Sequence, residues 1–225
     1  MKLSSPRRTA AAAAALVTVA ALALSACSSG GSTSANGSVA VVSQEAQNSP
    51  YQGTVLAKRF DKPDLVLPDT TGQPFDLRQR TAGKPTLLFF GYTSCPDVCP
   101  TTMGDIAVAM SKLPADEQDK INVVFVSTDP QVDNPKVLRT WLDSFDKNFI
   151  GLTGDLTKVK AAAQSLGILV EDPVVNKDGT VTSSHGAQVL AFLPSDDKAH
   201  LVYLSDTSPA TFEHDLPLLA KGVAA

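Results

Sequence analysis

Residues 86–100 read Thr86-Leu87-Leu88-Phe89-Phe90 and then Gly91-Tyr92-Thr93-Ser94-Cys95-Pro96-Asp97-Val98-Cys99-Pro100. The first five are a short apolar run of the kind that forms a buried strand. After Pro100, Met103, Ile106, Met110 and Leu113 recur at helical spacing. Proline is well tolerated in a first helical turn, where its missing N–H would have no partner, so Pro100 marks the start of that helix. Cys95 and Cys99 therefore lie where a buried strand gives way to a helix. A helix N-terminus presents unpaired N–H groups and a partial positive charge. Both favour thiolate over thiol and predict lowered cysteine pKa values. Position predicts reactivity but leaves three roles open: structural disulfide, redox couple, or pair of metal ligands.

Reading outward, Leu65-Val66-Leu67 and Pro74-Phe75-Asp76-Leu77 flank a turn at Pro68–Gly72 and predict an edge hairpin. Val123–Val126 predicts a second buried strand, and Val137, Leu138, Trp141, Leu142 and Phe145 stripe a second helix. Phe149–Leu152 predicts a third strand. Leu156, Val159, Ala163 and Leu166 stripe a third helix, with Gly167 at the C′ position that favours glycine. Gln188–Leu193 and His200–Leu204 pair as a hairpin across Pro194–Asp197, and Ser208-Pro209 opens a last helix that Pro217 kinks or ends. This order gives an α/β fold with a mixed central sheet. With paired cysteines at a strand-to-helix turn, it resembles a thioredoxin-like fold with an extra N-terminal hairpin.

The chain has 225 residues, is 43% hydrophobic and 19% charged, and carries a net charge of −4. No basic run follows residue 8, which leaves nothing to argue for nucleic acid. Lys2, Arg7 and Arg8 precede an apolar run from Thr9 to Leu24, the pattern of a secretory signal peptide over residues 1–26. The run ends in Leu24-Ser25-Ala26-Cys27, which resembles a bacterial lipobox; an ordinary cleavage site that leaves Cys27 a bystander is the plainer alternative. Ser28 to about Pro50 is rich in Ser, Gly, Asn and Ala and reads as a linker. The expected organisation is signal peptide 1–26, lipid-anchored linker 27–50 and folded domain 51–225, held at the extracytoplasmic face of the cell membrane by acyl chains on Cys27. Loss of residues 1–26 removes three positive charges and leaves −7.

With Cys27 acylated, Cys95 and Cys99 are the remaining thiols. A disulfide closing so small a loop constrains the unfolded chain little, which makes a structural staple the weaker reading. Three residues separate the pair, where thioredoxin-like redox motifs have two. The wider spacing lets both sulfurs face one metal without forbidding a disulfide. Two thiolates suit copper(I), zinc or an iron–sulfur cluster. Zinc and clusters usually take four protein ligands. The domain offers two cysteines and three histidines, His185, His200 and His214. A Cys₂His set fits low-coordinate copper(I) and, with a carboxylate or water, copper(II). His200 and His214 read as solvated. His185 lies among small residues, Val181-Thr182-Ser183-Ser184-His185-Gly186-Ala187, either as a ligand or as a loop histidine satisfied by a neighbour.

The chain resembles the Sco/SenC family of copper-binding proteins that serve cytochrome c oxidase. The resemblance covers roughly Tyr51 to Tyr203. It is carried by Gly91–Pro100, Val126-Ser127-Thr128-Asp129-Pro130, Gly151-Leu152-Thr153-Gly154 and Ser184-His185. It implies that Cys95, Cys99 and His185 bind copper, and it matches Asp129 to a family acid implicated in copper(II) binding or partner transfer; a turn carboxylate ahead of Pro130 is the alternative. Asp97 reads as solvent-facing or helix-capping. Many family members carry Asp directly before the histidine, where this chain has Ser184. The implied role is a non-enzymatic chaperone, loaded by an upstream copper donor protein and delivering copper to the dinuclear site of oxidase subunit II. The alternative is a thiol–disulfide oxidoreductase in which the Cys95/Cys99 pair reduces the cysteines of the apo-subunit. Peroxidase chemistry needs an arginine beside the attacking cysteine, and the loop holds none.

Overall fold

The computed structural model describes residues 48–177, 181–182 and 185–225. The expected signal peptide, nearly all of the linker with Cys27, and Ser184 lie outside the described residues. In chain order the elements are β1 (Thr54–Asp61), β2 (Val66–Pro68), β3 (Pro74–Asp76), α1 (Leu77–Arg80), β4 (Thr86–Gly91), α2 (Val98–Ser111), α3 (Ala115–Gln118) and β5 (Asn122–Ser127). They continue with α4 (Pro135–Leu142), β6 (Ile150–Leu152), α5 (Leu156–Ser165), β7 (Val174–Val175), β8 (Val181–Thr182), β9 (Val189–Leu193), β10 (Lys198–Tyr203) and α6 (Pro209–Ala220).

The main sheet has the order β1-β10-β9-β4-β5-β6. β4, β5 and β6 run parallel, whereas β9 is antiparallel to β4, β10 to β9 and β1 to β10. Every residue of β4 is buried, because the sheet is covered on both faces. Side chains alternate across a strand, so Leu87 and Phe89 join one core with Met103 and Ile106 of α2, Leu138 of α4 and Leu216 of α6. Leu88 and Phe90 join the other core with Leu67 and Phe75 of the β2–β3 hairpin and Val159 and Ala163 of α5. This is the expected thioredoxin-like α/β fold with its mixed sheet and N-terminal hairpin. The hairpin docks beside β6 through a bridge between Asp69 and Leu152.

Several details differ from the sequence reading. β1 carries no strand-like alternation: Ala57, Lys58 and Arg59 are all exposed and a register shift interrupts its pairing with β10. An edge strand paired on one side needs no buried stripe. α2 begins at Val98, so Pro100 occupies its third position and Cys99 lies inside the helix. Asp97 holds the N-cap position without a side-chain cap bond and is exposed. α6 runs through Pro217 to Ala220. Gly167 (φ 72°) closes α5 as expected: its N–H donates to Gln164 O at 3.0 Å, and Ile168 N–H donates to Ala163 O at 2.9 Å.

One feature positions the site and another anchors the start of the domain. In the β4–β5 register Gly91 lies opposite Ser127, so the loops leaving both strands emerge side by side at the C-terminal edge of the parallel sheet. At the domain's start, the fully buried Asp215 carboxylate of α6 accepts hydrogen bonds from Gln52 N–H (2.9 Å), Gly53 N–H (2.8 Å) and the Tyr203 hydroxyl (3.1 Å).

Candidate metal centre

The cysteine loop is a tight turn leading into α2. Cys95 N–H donates to Tyr92 O at 3.2 Å, closing a four-residue turn whose last residue is Cys95. Cys99 N–H, one of the free donors at the start of α2, donates to Cys95 Sγ at 3.4 Å. Cys95 is half-buried, Cys99 is fully buried, and both are free thiols.

His185 comes from 86 residues further along and meets Cys99: Nε2 lies 3.6 Å from Sγ. Its placement is held by backbone. His185 forms a bridge with Val170, and Gly186 N–H donates to Leu169 O at 3.0 Å. The rings of Tyr92 and Phe89 pack edge-on against the imidazole, with centroids 5.6 and 6.2 Å away. Nδ1 lies 3.1 Å from Gly186 O. A carbonyl only accepts, so Nδ1 carries the proton and Nε2 presents its lone pair to the Cys99 thiol. Burial lowers the His185 pKa, with the Gly186 carbonyl opposing, and this favours the neutral, metal-binding form.

Cys99 overturns the expectation of two low-pKa thiols. Burial pushes its pKa well above the ordinary thiol range, and the neighbouring Cys95 and Asp133 add to the effect. A backbone hydrogen bond from Tyr92 favours the thiolate but is outweighed by burial, and the N–H of Cys99 itself is spent on Cys95. Cys99 is thus a protonated thiol whose S–H points at an imidazole lone pair, and a soft cation can take the place of that proton. Cys95, more exposed and facing an N–H donor, is expected to react with iodoacetamide at least about tenfold faster than Cys99. Peptide mass spectrometry after a limiting pulse checks this, and equal labelling would contradict it.

Two residues to which the sequence assigns no role shape the site. A Cβ on Gly91 would lie 2.9 Å from Cys99 Sγ and 2.9 Å from the Phe125 ring, so only glycine lets the sulfur rest against β4. Asp133, fully buried, accepts from Thr93 N–H (3.0 Å), Thr93 Oγ1 (2.5 Å) and Ser127 Oγ (2.7 Å), tying the cysteine loop to the loop after β5. Burial raises the Asp133 pKa, while the Thr93 and Ser127 hydrogen bonds pull it down. Neither Gly91 nor Asp133 has a spacing that marks it in the sequence.

The other candidates divide. Asp129 is buried in the adjacent loop, its N–H donating to Ser127 Oγ at 3.1 Å, and its Oδ2 has no hydrogen-bond partner among the described residues. His214 is partly exposed and pairs with Asp215 at 2.8 Å. His200, expected to be solvated, is 5% exposed and bonds Asp196 through Nε2 at 2.9 Å. It falls where the β9–β10 register shifts, level with Thr86 at the far end of β4 from the cysteine loop. Among the described residues, His185 is the one histidine that meets a cysteine.

The donors gathered at this edge are two sulfurs and one imidazole, a set suited to a soft ion. Among the described residues no three His, Cys, Asp or Glu side chains already enclose an ion-sized space. Cys99 and His185 form a contacting pair, with Cys95 one hydrogen bond away.

The SCO1/SenC family pattern matches residues 57–216. The chain belongs to the SCO1/SenC family. Among solved structures it is similar to the apo Sco1 protein of Thermus thermophilus (34% identity, TM-score 0.64), covering 75% of this chain and 96% of that one. It is also similar to ScoI of Bradyrhizobium japonicum, solved with copper bound (31% identity, TM-score 0.57, 71% of this chain and 96% of that one). The mitochondrial Protein SCO2 of Saccharomyces cerevisiae is 32% identical over 126 residues, 56% of this chain and 40% of its own length. The chain spans about half the length of the curated relatives it matches. The Sco/SenC resemblance and the thioredoxin-like fold are both borne out.

Proposed function

We propose that this chain is a copper chaperone that holds one copper ion through Cys95, Cys99 and His185 and delivers it to the dinuclear copper site of cytochrome c oxidase subunit II. The observation that carries the reading is the 3.6 Å approach of Cys99 Sγ to a His185 Nε2 whose lone pair faces it. The copper-bound ScoI relative supplies the metal's identity. Binding copper displaces the Cys99 thiol proton, which offsets the cost of ionising a buried thiol. His185 Nε2 needs no deprotonation. Three ligands leave open positions on copper, where a partner's ligands enter while Cys95, more accessible than the fully buried Cys99, leaves. Asp129, with an unpartnered carboxylate oxygen beside the loop, serves as the auxiliary group for copper(II). Acylation of Cys27 tethers the domain to the extracytoplasmic membrane face. No described helix is long and apolar enough to cross a membrane.

A second reading, reduction of a disulfide on the apo-subunit, draws on the partly exposed Cys95 Sγ, held by the Cys99 N–H, as the attacking sulfur beside the buried Cys99. Two electrons and two protons leave Cys95 and Cys99 as their disulfide forms, and the partner's disulfide becomes two thiols.

Titration of the reduced protein with copper, followed by sulfur-to-copper charge-transfer absorption, separates the two. One equivalent is expected to bind, and His185→Ala is expected to weaken binding by about tenfold to a hundredfold. Binding undiminished in His185→Ala removes the imidazole from the site. Absence of stoichiometric binding in the wild type removes the copper reading and leaves the reductase.

A further inference from the structure

We infer that Asp133 is a positioning residue for Cys95: its buried carboxylate grips the turn that ends in Cys95 and fixes where that sulfur sits relative to Cys99 and His185. The inference deepens the copper reading and rests on it.

The chain of contacts is continuous. After β5, Val132 and Asp133 donate their N–H groups to Asp129 O at 3.2 and 2.9 Å. This folds the segment back so that the Asp133 side chain reaches behind the strand ends. One carboxylate oxygen takes Ser127 Oγ at 2.7 Å and Thr93 N–H at 3.0 Å; the other takes Thr93 Oγ1 at 2.5 Å. Thr93 is the second residue of the Tyr92–Cys95 turn, so both of its donors are held from outside the turn. The same N-terminal end of the turn is also held by the strand pair, since Gly91 O at the end of β4 accepts Thr128 N–H at 2.7 Å. From this fixed end the turn closes through Cys95 N–H to Tyr92 O at 3.2 Å, which leaves Cys95 Sγ facing the N–H of Cys99.

Burying a carboxylate is costly unless it is well hydrogen-bonded. Here its three donors come from the cysteine loop and from the last residue of β5. Groups that hold a metal's ligands in place change affinity when removed even though they never touch the ion.

Thr93→Val deletes one donor and keeps the side chain's shape, whereas Thr93→Ser keeps the donor. Thr93→Val is expected to raise the copper dissociation constant by about tenfold and to shift the charge-transfer band, and Thr93→Ser to restore both. Asp133→Asn is expected to act in the same direction. The double variant Asp133→Asn/Thr93→Val is expected to be little worse than the weaker single variant, because both break one contact. The Cys95/Cys99 midpoint potential should move in Thr93→Val and return in Thr93→Ser, a readout independent of copper. If wild-type protein binds no copper, the copper reading falls and the potential still tests the contact. Copper affinity and potential unchanged in Thr93→Val, or single effects that add fully in the double variant, overturn the inference. Should Asp133→Asn not fold, the Thr93→Val and Thr93→Ser pair decides alone.

Discussion

Cys99→Ala is expected to abolish stoichiometric copper binding, and Gly91→Ala to weaken it by about a hundredfold or more, although it leaves all three proposed ligands in place. Cys99 contributes the one donor that is both fully buried and in contact with His185, at 3.6 Å. Without it, Cys95 and His185 are left without the sulfur between them. Gly91→Ala tests position rather than identity. The added methyl would stand 2.9 Å from Cys99 Sγ, with the Phe125 ring equally close on another side. Gly91 lies within β4, where the backbone is held by pairing with β5, so the thiol has to yield. Overpacking of this kind typically costs about 1–3 kcal/mol in stability. Displacing the sulfur also removes it from the place where His185 can share a metal. Copper titration at a temperature well below the unfolding transition, with a thermal melt beside it, reads both effects. A folded Gly91→Ala protein with wild-type copper affinity would show that the sulfur relocates freely and that the glycine has no part in the site.

The stretch 86–100 discloses the strand, the turn, the helix and the two thiols, because each is written in local chemistry: apolar run, prolines, helical period. The two-sided burial of β4 is legible in the same way. Contacts across long separations are not. The local chemistry around His185 does not say that it closes on Cys99, which only the family resemblance implies, and Asp133 reaches Thr93 across 40 residues only because Gly91 and Ser127 end in register. His200 is buried because the β9–β10 pairing shifts at its position, and composition does not record a bulge. The direction of the Cys99 pKa is a question of magnitudes. A helix N-terminus stabilises a charge by about 0.3–1 kcal/mol. Full burial shifts a pKa by up to about 3–5 units, at about 1.4 kcal/mol each. Desolvation wins wherever the thiol is dry, and dryness is a tertiary property.

The largest stability loss is expected at Asp215→Ala, about 3–5 kcal/mol, since it strips several buried donors of their acceptor at once. Gln52 N–H, Gly53 N–H and the Tyr203 hydroxyl all point at this carboxylate. Alanine leaves them unpaired and opens a gap between α6 and the segment entering β1. At about 2–4 °C per kcal/mol for a domain of this size, the melting temperature falls by roughly 10 °C. Asp215→Asn keeps one acceptor but turns an NH₂ towards a donor, so an intermediate loss is expected. The same residue shapes the alkaline limb. Burial, and then the Asp215 charge, raise the Tyr51 pKa to about 12 and hold Tyr203 well above its ordinary 10.0. Folded protein therefore keeps phenolic protons that unfolded chain has lost, and by linkage stability falls as pH rises beyond about 10. The loss continues until Tyr51 itself ionises near 12. In Asp215→Asn the carboxylate's share of that rise is gone, so chemical denaturation at pH 8 and pH 11 should show a smaller pH-dependent loss than in wild type. An equal loss would assign the tyrosine shifts to burial alone. None of the Asp215 partners carries a residue of the proposed copper site, so copper affinity in the folded variants should match wild type. A parallel fall in affinity would mean that the α6 clamp and the cysteine loop are mechanically coupled.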